Sequence, residues 1–354
     1  MDGTRTHWVG TDVAKKTFEA AVVFDGEHYS QALLRQVPTA SFARTKEGVG
    51  LFLAWLDALL LSRDEAQAQV RVVMESTGRY SLTLARWLVK QRGALRPAIV
   101  NPGMTSSFIK SLGLRNKTDR IEARALAFYG TERRPAPYDW PTPSRLKLRT
   151  LCRFRDDLID DRVAWENRLE DECSDALIRK MAKQRVCGIE RDIEKIEDEI
   201  KKAIENDAEL KRNAGLLESI PGVGFVTASV VLAEMGDLRR FEEARQISAF
   251  AGVSPRLRQS GTSVNGKPRM CKYGNPRVRK ALYMAAISAM HHCPSMQACH
   301  KRLARAGKAK MVSVGTVMRK LLVLMRAVLI AEKPYDPNYR HGGKPCGKLE
   351  LVCG

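Results

Sequence analysis

The sequence predicts an α/β sheet domain at the front of the chain and a mostly helical remainder behind it. Three observations carry this expectation. Residues 1–132 open with runs of β-branched and aromatic residues and then alternate helical with strand-like spacing. A segment with four prolines follows at 133–145, RRPAPYDWPTPSR, and reads as a linker because proline fixes φ and removes a donor. Beyond it, residues 146–213 are charge-dense and free of proline.

In order, His7–Val13 and Thr17–Phe24 read as strands, and Asp25-Gly26 then supplies a hairpin turn. A third strand is expected within Tyr29–Val37. Gly48–Leu61 has helical spacing at Leu51, Trp55, Leu56 and Leu59, and Val70–Met74 suits a short buried strand. A helix over Leu82–Gln91, a strand over Pro97–Val100 and a helix after Thr118 complete the domain. Three leading antiparallel strands followed by βα units are the start of few topologies, the RNase H-like order among them. In the middle region, Val186, Ile189, Ile193, Ile196, Ile200 and Ala203 follow the 3-4 spacing of a short coiled-coil seam, which can pack within the chain or join copies of it. From 214 to 331 the pattern is a compact helical domain, and 332–354, rich in Gly, Pro and Lys, reads as a flexible tail.

Charge separates the parts further. The 354 residues carry a net charge of +20, yet residues 1–243 hold only about +2 of it. From Ala244 to Ala331 there are 17 Lys and Arg and no Asp or Glu, which points to a polyanion as partner of the C-terminal third. The most apolar stretch, Leu321–Ala331, is interrupted by Arg326 and falls short of the ~20 residues a membrane span needs. The N-terminus lacks a signal-peptide core, and eight scattered cysteines fit reduced thiols, so a cytoplasmic protein without a membrane partner is expected.

Four acids stand out in the front domain. Asp12 interrupts the first strand, Glu75 ends the apolar strand before it, and Asp119 and Glu122 lie three apart on one helix face. An acid at the end of a buried strand needs compensation, and a hard divalent cation with oxygen ligands is one form of it. Two such ions about 4 Å apart can activate an attacking oxygen and stabilise a leaving oxygen on phosphorus.

In the basic part, Pro221-Gly222-Val223-Gly224 between two apolar helical stretches resembles a helix-hairpin-helix, whose turn amides around Gly222 and Gly224 can face a DNA phosphate. The alternative is a tight turn with a packing role only. Asn275-Pro276 starts a helix bearing Arg277, Arg279 and Lys280. With Arg256, Arg258, Lys267, Arg269 and Lys272 these cations surround Ser260-Gly261-Thr262-Ser263, where a hydroxyl can approach a phosphate. The cluster His291–His300 has no familiar zinc spacing, and Pro294 there fits a helix start.

Taken in order, VGTDVAKKTF, VMESTGRY, LRNKTDRIEARALA, LLESIPGVG and FAGVSPRLRQSGTSVNGKPRMCKYG resemble the "one-ten" family of bacterial insertion-sequence transposases, the DEDD or bridge-RNA-guided recombinases. The resemblance implies a RuvC-like front domain of RNase H fold, a coiled coil and a C-terminal transposase domain. It places the family's acids on Asp12, Glu75, Asp119 and Glu122, which would hold Mg2+, and its nucleophilic serine on Ser260. It further implies a covalent 5′-phosphoserine link to DNA, a noncoding bridge RNA that pairs with donor and target DNA, and a tetramer built from dimers. A bacterial, nucleoid-associated location goes with it. The chain departs from the family at Glu122, where Asp is usual; the extra methylene moves the carboxylate by ~1.5 Å. Two other readings use the same residues: a hydrolytic RuvC-like nuclease or Holliday-junction resolvase with Ser260 a mere loop residue, and a non-catalytic DNA-binding scaffold.

Overall fold

A computed structural model describes residues 5–114, 118–170, 175–260, 264–337, 340–341 and 344–345. The chain divides into two compact units, 1–140 and 141–354, and the border falls inside the proline-rich segment.

The first unit is built on a five-stranded mixed sheet. Its elements are β1 (Thr6–Val13), β2 (Thr17–Val23), α1 (Gln31–Gln36), β3 (Thr39–Ala43), α2 (Lys46–Ser62), β4 (Gln69–Glu75), α3 (Arg79–Gln91), β5 (Ala98–Val100), α4 (Pro102–Ser111) and α5 (Asp119–Arg133). The order across the sheet is β3-β2-β1-β4-β5. The β3-β2-β1 ladder is antiparallel, whereas β4 and β5 run parallel to β1. Both faces are covered, so the central strands are buried throughout. On one face Val9, Phe18, Val72 and Met74 pack under α2 and α3 through Phe52, Leu56, Leu84 and Leu88. On the other, Trp8, Ala21, Val23 and Val73 meet Ala123, Leu126 and Ala127 of α5.

The third strand is not where the sequence predicts it. Residues 31–36 form α1 instead, because the Ser30 hydroxyl accepts the Leu33 amide at 3.0 Å and caps a helix start. The strand comes after Pro38, as β3. A further helix, α4, follows Asn101-Pro102, with the Asn101 side chain accepting the Gly103 amide at 2.8 Å.

In the second unit α6 (Pro143–Leu169) and α7 (Ala176–Glu205) make a long helical pair, joined side to side by Arg155 to Glu197 at 2.6 Å. The first three residues of α6 lie inside the segment expected to be linker. Of the predicted seam, Ile193, Ile200 and Ala203 are buried in the chain itself. Next come α8 (Ala208–Glu218), α9 (Phe225–Met235), α10 (Ala244–Ala251), the hairpin β6 (Pro255–Ser260) and β7 (Val264–Met270), α11 (Pro276–His292), α12 (Pro294–Arg305) and α13 (Lys310–Ala331). One core joins Leu148 and Cys152 of α6, Ile200 of α7, the apolar residues of α9, and the inner faces of α11 and α13. Among the described residues no helix is long and apolar enough to cross a membrane.

Candidate active site and nucleic-acid surface

The acid site grows out of strand alternation. Side chains on a strand point to opposite faces in turn, so Trp8, Gly10 and Asp12 share the α5 face of β1. Val73 and Glu75 share that face of β4, and β1 and β4 are parallel neighbours with Thr11 beside Met74. Asp12 and Glu75 therefore emerge together where the two strands end.

α5 brings the other two. It packs along β1 so closely that a Cβ at Gly10 would lie 2.0 Å from the Ala123 carbonyl oxygen and 2.2 Å from the Ala127 nitrogen. Gly130 further along meets the Trp8 ring in the same way, at 2.5 Å. Two glycines, one on each element, thus fix the pitch of α5 on the strand, and the N-terminal turn of the helix ends at Asp12. Thr118 caps that turn, its hydroxyl accepting the Ile121 amide at 3.3 Å. Asp119 and Glu122 stand in the first turn, where the helix dipole favours negative charge.

The four carboxylates converge on Asp12. Its pKa is raised to about 6, first by burial and then by the charges of Glu122, Asp119 and Glu75, against a backbone hydrogen bond from Val13. Carboxylate oxygens that repel one another are the donor chemistry of a hard divalent cation. As they stand, no three His, Cys, Asp or Glu among the described residues are grouped closely enough to ligate one ion. In their chemistry, oxygen donors only, the four carboxylates suit such an ion.

Glu19 is a neighbour that the sequence reading missed. It pairs directly with Asp12 across the β1–β2 ladder, and Arg120 of α5 lies 3.6 Å from its carboxylate. Only the strand register could have revealed it. Arg44 braces the β1–β2 turn beside the acids, its Nη2 donating to the Lys15 carbonyl at 2.7 Å.

In the second unit, Ser260 is the last residue of β6 and pairs with Val264 of β7, at the tip of the hairpin. Gly261, Thr262 and Ser263 lie outside the described residues. Arg258 and Lys267 sit on the two strands. Arg256 stands over the Tyr273 ring at 5.7 Å, and Arg269 and Lys272 are exposed.

The cations of α11 have partners at home. Arg277 bridges Asp156 and Asp157 of α6, each at 3.1 Å, and Lys280 meets Asp160 at 2.7 Å. Arg279 donates to the carbonyls of Ala251 and Lys272. Beneath them Glu234 is buried. Burial works against its charge, but Arg153 in a two-pronged pair and the Asn275 amide hold its carboxyl below the usual range. Burial, with Asp156 and Glu234 nearby, pushes the Cys152 thiol up to about 12, which leaves it unreactive.

The helix-hairpin-helix glycines differ. Gly222 has φ +95°, and a Cβ there would fall 2.4 Å from the Ala289 nitrogen of α11, so this residue serves packing. Gly224 caps α9 and opens onto free space, which leaves its side of the turn accessible to a phosphate.

Comparison with known proteins agrees with this layout. Residues 9–172 match the model of the DEDD transposases of the IS110 type, described as "Transposase", and residues 214–301 match the model described as "Transposase IS116/IS110/IS902 family". The chain is 28% identical over 330 residues to the pilin gene-inverting protein of Moraxella bovis, covering 93% of this chain and 97% of that one. It is 27% identical over 253 residues to the transposase for insertion sequence element IS1111A of Coxiella burnetii, covering 62% and 66% of the two chains.

Proposed function

The chain belongs to the IS110 family of transposases, and from that premise we propose that it is an RNA-guided DNA recombinase with a serine nucleophile. The observation that carries this is the convergence of Asp12, Glu75, Asp119 and Glu122 on one end of the sheet. The strand order β3-β2-β1-β4-β5, with α5 laid on β1, supports a RuvC-like reading of the first unit.

In this reading Asp12, Glu75, Asp119 and Glu122 would hold Mg2+, which would supply positive charge to the reacting phosphate. The Ser260 oxygen attacks the scissile phosphate, forming a P–O bond as the bond to the 3′ oxygen breaks. The proton given up by the serine is balanced by the one the 3′ oxygen takes up. The product is a 5′-phosphoserine link, which a 3′ hydroxyl of the other duplex resolves into a joined strand. The hairpin cations Arg256, Arg258, Lys267, Arg269 and Lys272 hold backbone phosphates, which positions DNA without reading its sequence. Arg277, Arg279 and Lys280 support that surface from below. Sequence choice is left to a noncoding bridge RNA paired with donor and target DNA. The family resemblance gives the assembly as a tetramer built from dimers.

A joining assay with donor duplex, target duplex and RNA transcribed from the flank of the element tests this. Wild type forms joined product only with RNA and Mg2+; Asp12→Asn and Glu122→Gln abolish it, and Glu122→Asp keeps it. Cleaved but never joined DNA would instead favour the hydrolytic nuclease. Unchanged activity in both Glu122 variants would remove Glu122 from the ligand set.

A further inference from the structure

The second unit contains a cavity of about 310 Å3 at the foot of the β6–β7 hairpin. Its walls are largely apolar and in part exposed, with Met270 from the end of β7, Tyr283 from α11, and Met311 and Met318 from α13, and α11 adds Arg279 and Lys280 to the lining. Tyr283 is 37% exposed and Met311 64%. Gly315 keeps the floor open, since a Cβ there would already come within 3.3 Å of the Met270 methyl. Lys272 stands at the rim, exposed and with no acidic partner among the described residues.

This combination is unusual for a surface that only tracks phosphates. A phosphate track needs cations and water; it has no use for an exposed tyrosine and three methionines around a hollow. Methionine is polarizable and contacts aromatic edges well, and a base offers a flat π-face to tyrosine. The volume is at the lower end of small-ligand pockets. No carboxylate lines it, so an anionic ligand meets no repulsion.

We propose that this cavity takes one unpaired nucleobase, seated against Tyr283 and the methionines, with the adjoining phosphate on Lys272. The inference rests on the nucleic-acid reading of this unit and deepens it: the surface grips an unstacked nucleotide as well as the backbone. The placement at the hairpin foot suits a strand whose neighbouring phosphate is carried toward the tip.

The test compares two fluorescent probes of equal length on the full-length protein: a single-stranded oligothymidylate and the same sugar-phosphate chain without bases. Wild type prefers the base-bearing strand by about tenfold. Tyr283→Ala and Gly315→Leu each bring that preference close to one, with affinity for the abasic strand and its salt slope unchanged. Lys272→Gln weakens both probes alike and lowers the salt slope by about one. Tyr283→Ala changes an exposed residue, so it remains informative if Gly315→Leu does not fold. A wild-type protein that binds both probes equally overturns the pocket and leaves the phosphate surface standing. One that binds neither overturns both. A preference that survives both variants, or a Tyr283→Ala protein whose only change is its sedimenting mass, assigns the face to another occupant and also overturns the proposal.

Discussion

Asp12 is ionised at neutral pH against both burial and three like charges, so it works against the fold that holds it. Its folded pKa, about 6, lies above the ordinary aspartate value of 3.8. The folded state therefore binds the proton more tightly than the unfolded chain, and this contribution to stability is complete below pH ~4 and lost as pH rises through 6. Asp12→Asn should melt higher than wild type at pH 8 without divalent ions, and the gap should close toward pH 4. A gap that grows on acidification would contradict the repulsive cluster. Gly10 acts through geometry. With Ala123 and Ala127 backbone atoms about 2 Å from where its Cβ would lie, Gly10→Ala must lift α5 from the strand. It should cost about 1–3 kcal/mol in denaturant unfolding and abolish joining activity, while leaving each acid in the sequence intact.

At the scale of elements, the turn between α8 and α9 separates packing from binding. Gly222→Ala places a side chain at φ +95° and against α11, and should cost at least ~2 kcal/mol in chemical denaturation. Gly224→Ala, at a cap in open space, should cost under ~1 kcal/mol. If the two cost the same, the turn is not seated on α11 as described. Such seating was invisible in the sequence, where both glycines read as one turn, either phosphate-facing or packing only. Much else was legible. The β1, β2 and β4 strands stand where β-branched runs put them, and Thr118 starts α5 as its capping chemistry demands. The misplaced third strand shows the limit. Tyr29–Val37 has apolar residues enough for a strand, and a single serine cap with helical spacing decides otherwise. α4 carries at Asn101-Pro102 the same start signal that marks α11 at Asn275-Pro276, so the missed helix was readable. Glu19 was not, because its place beside Asp12 depends on ladder register.

Across the whole molecule, charge is divided by task. The first unit gathers acids around Asp12, and the acid-free stretch of the second gathers cations suited to nucleic acid. The structure adds that this second surface is not uniformly available: α6 carboxylates engage Arg277 and Lys280, while Arg269 and Lys272 remain exposed. Whether the serine at the hairpin tip and the acids of the sheet act together on DNA is decided by a covalent-adduct gel. Protein, Mg2+, flank-derived RNA and end-labelled donor and target duplexes are mixed and resolved under denaturing conditions beside Ser260→Ala and Asp12→Ala. Label should migrate with wild-type protein and be absent from both variants. Label released as free cleaved DNA that persists in Ser260→Ala would contradict that joint action and return Ser260 to the role of a loop residue.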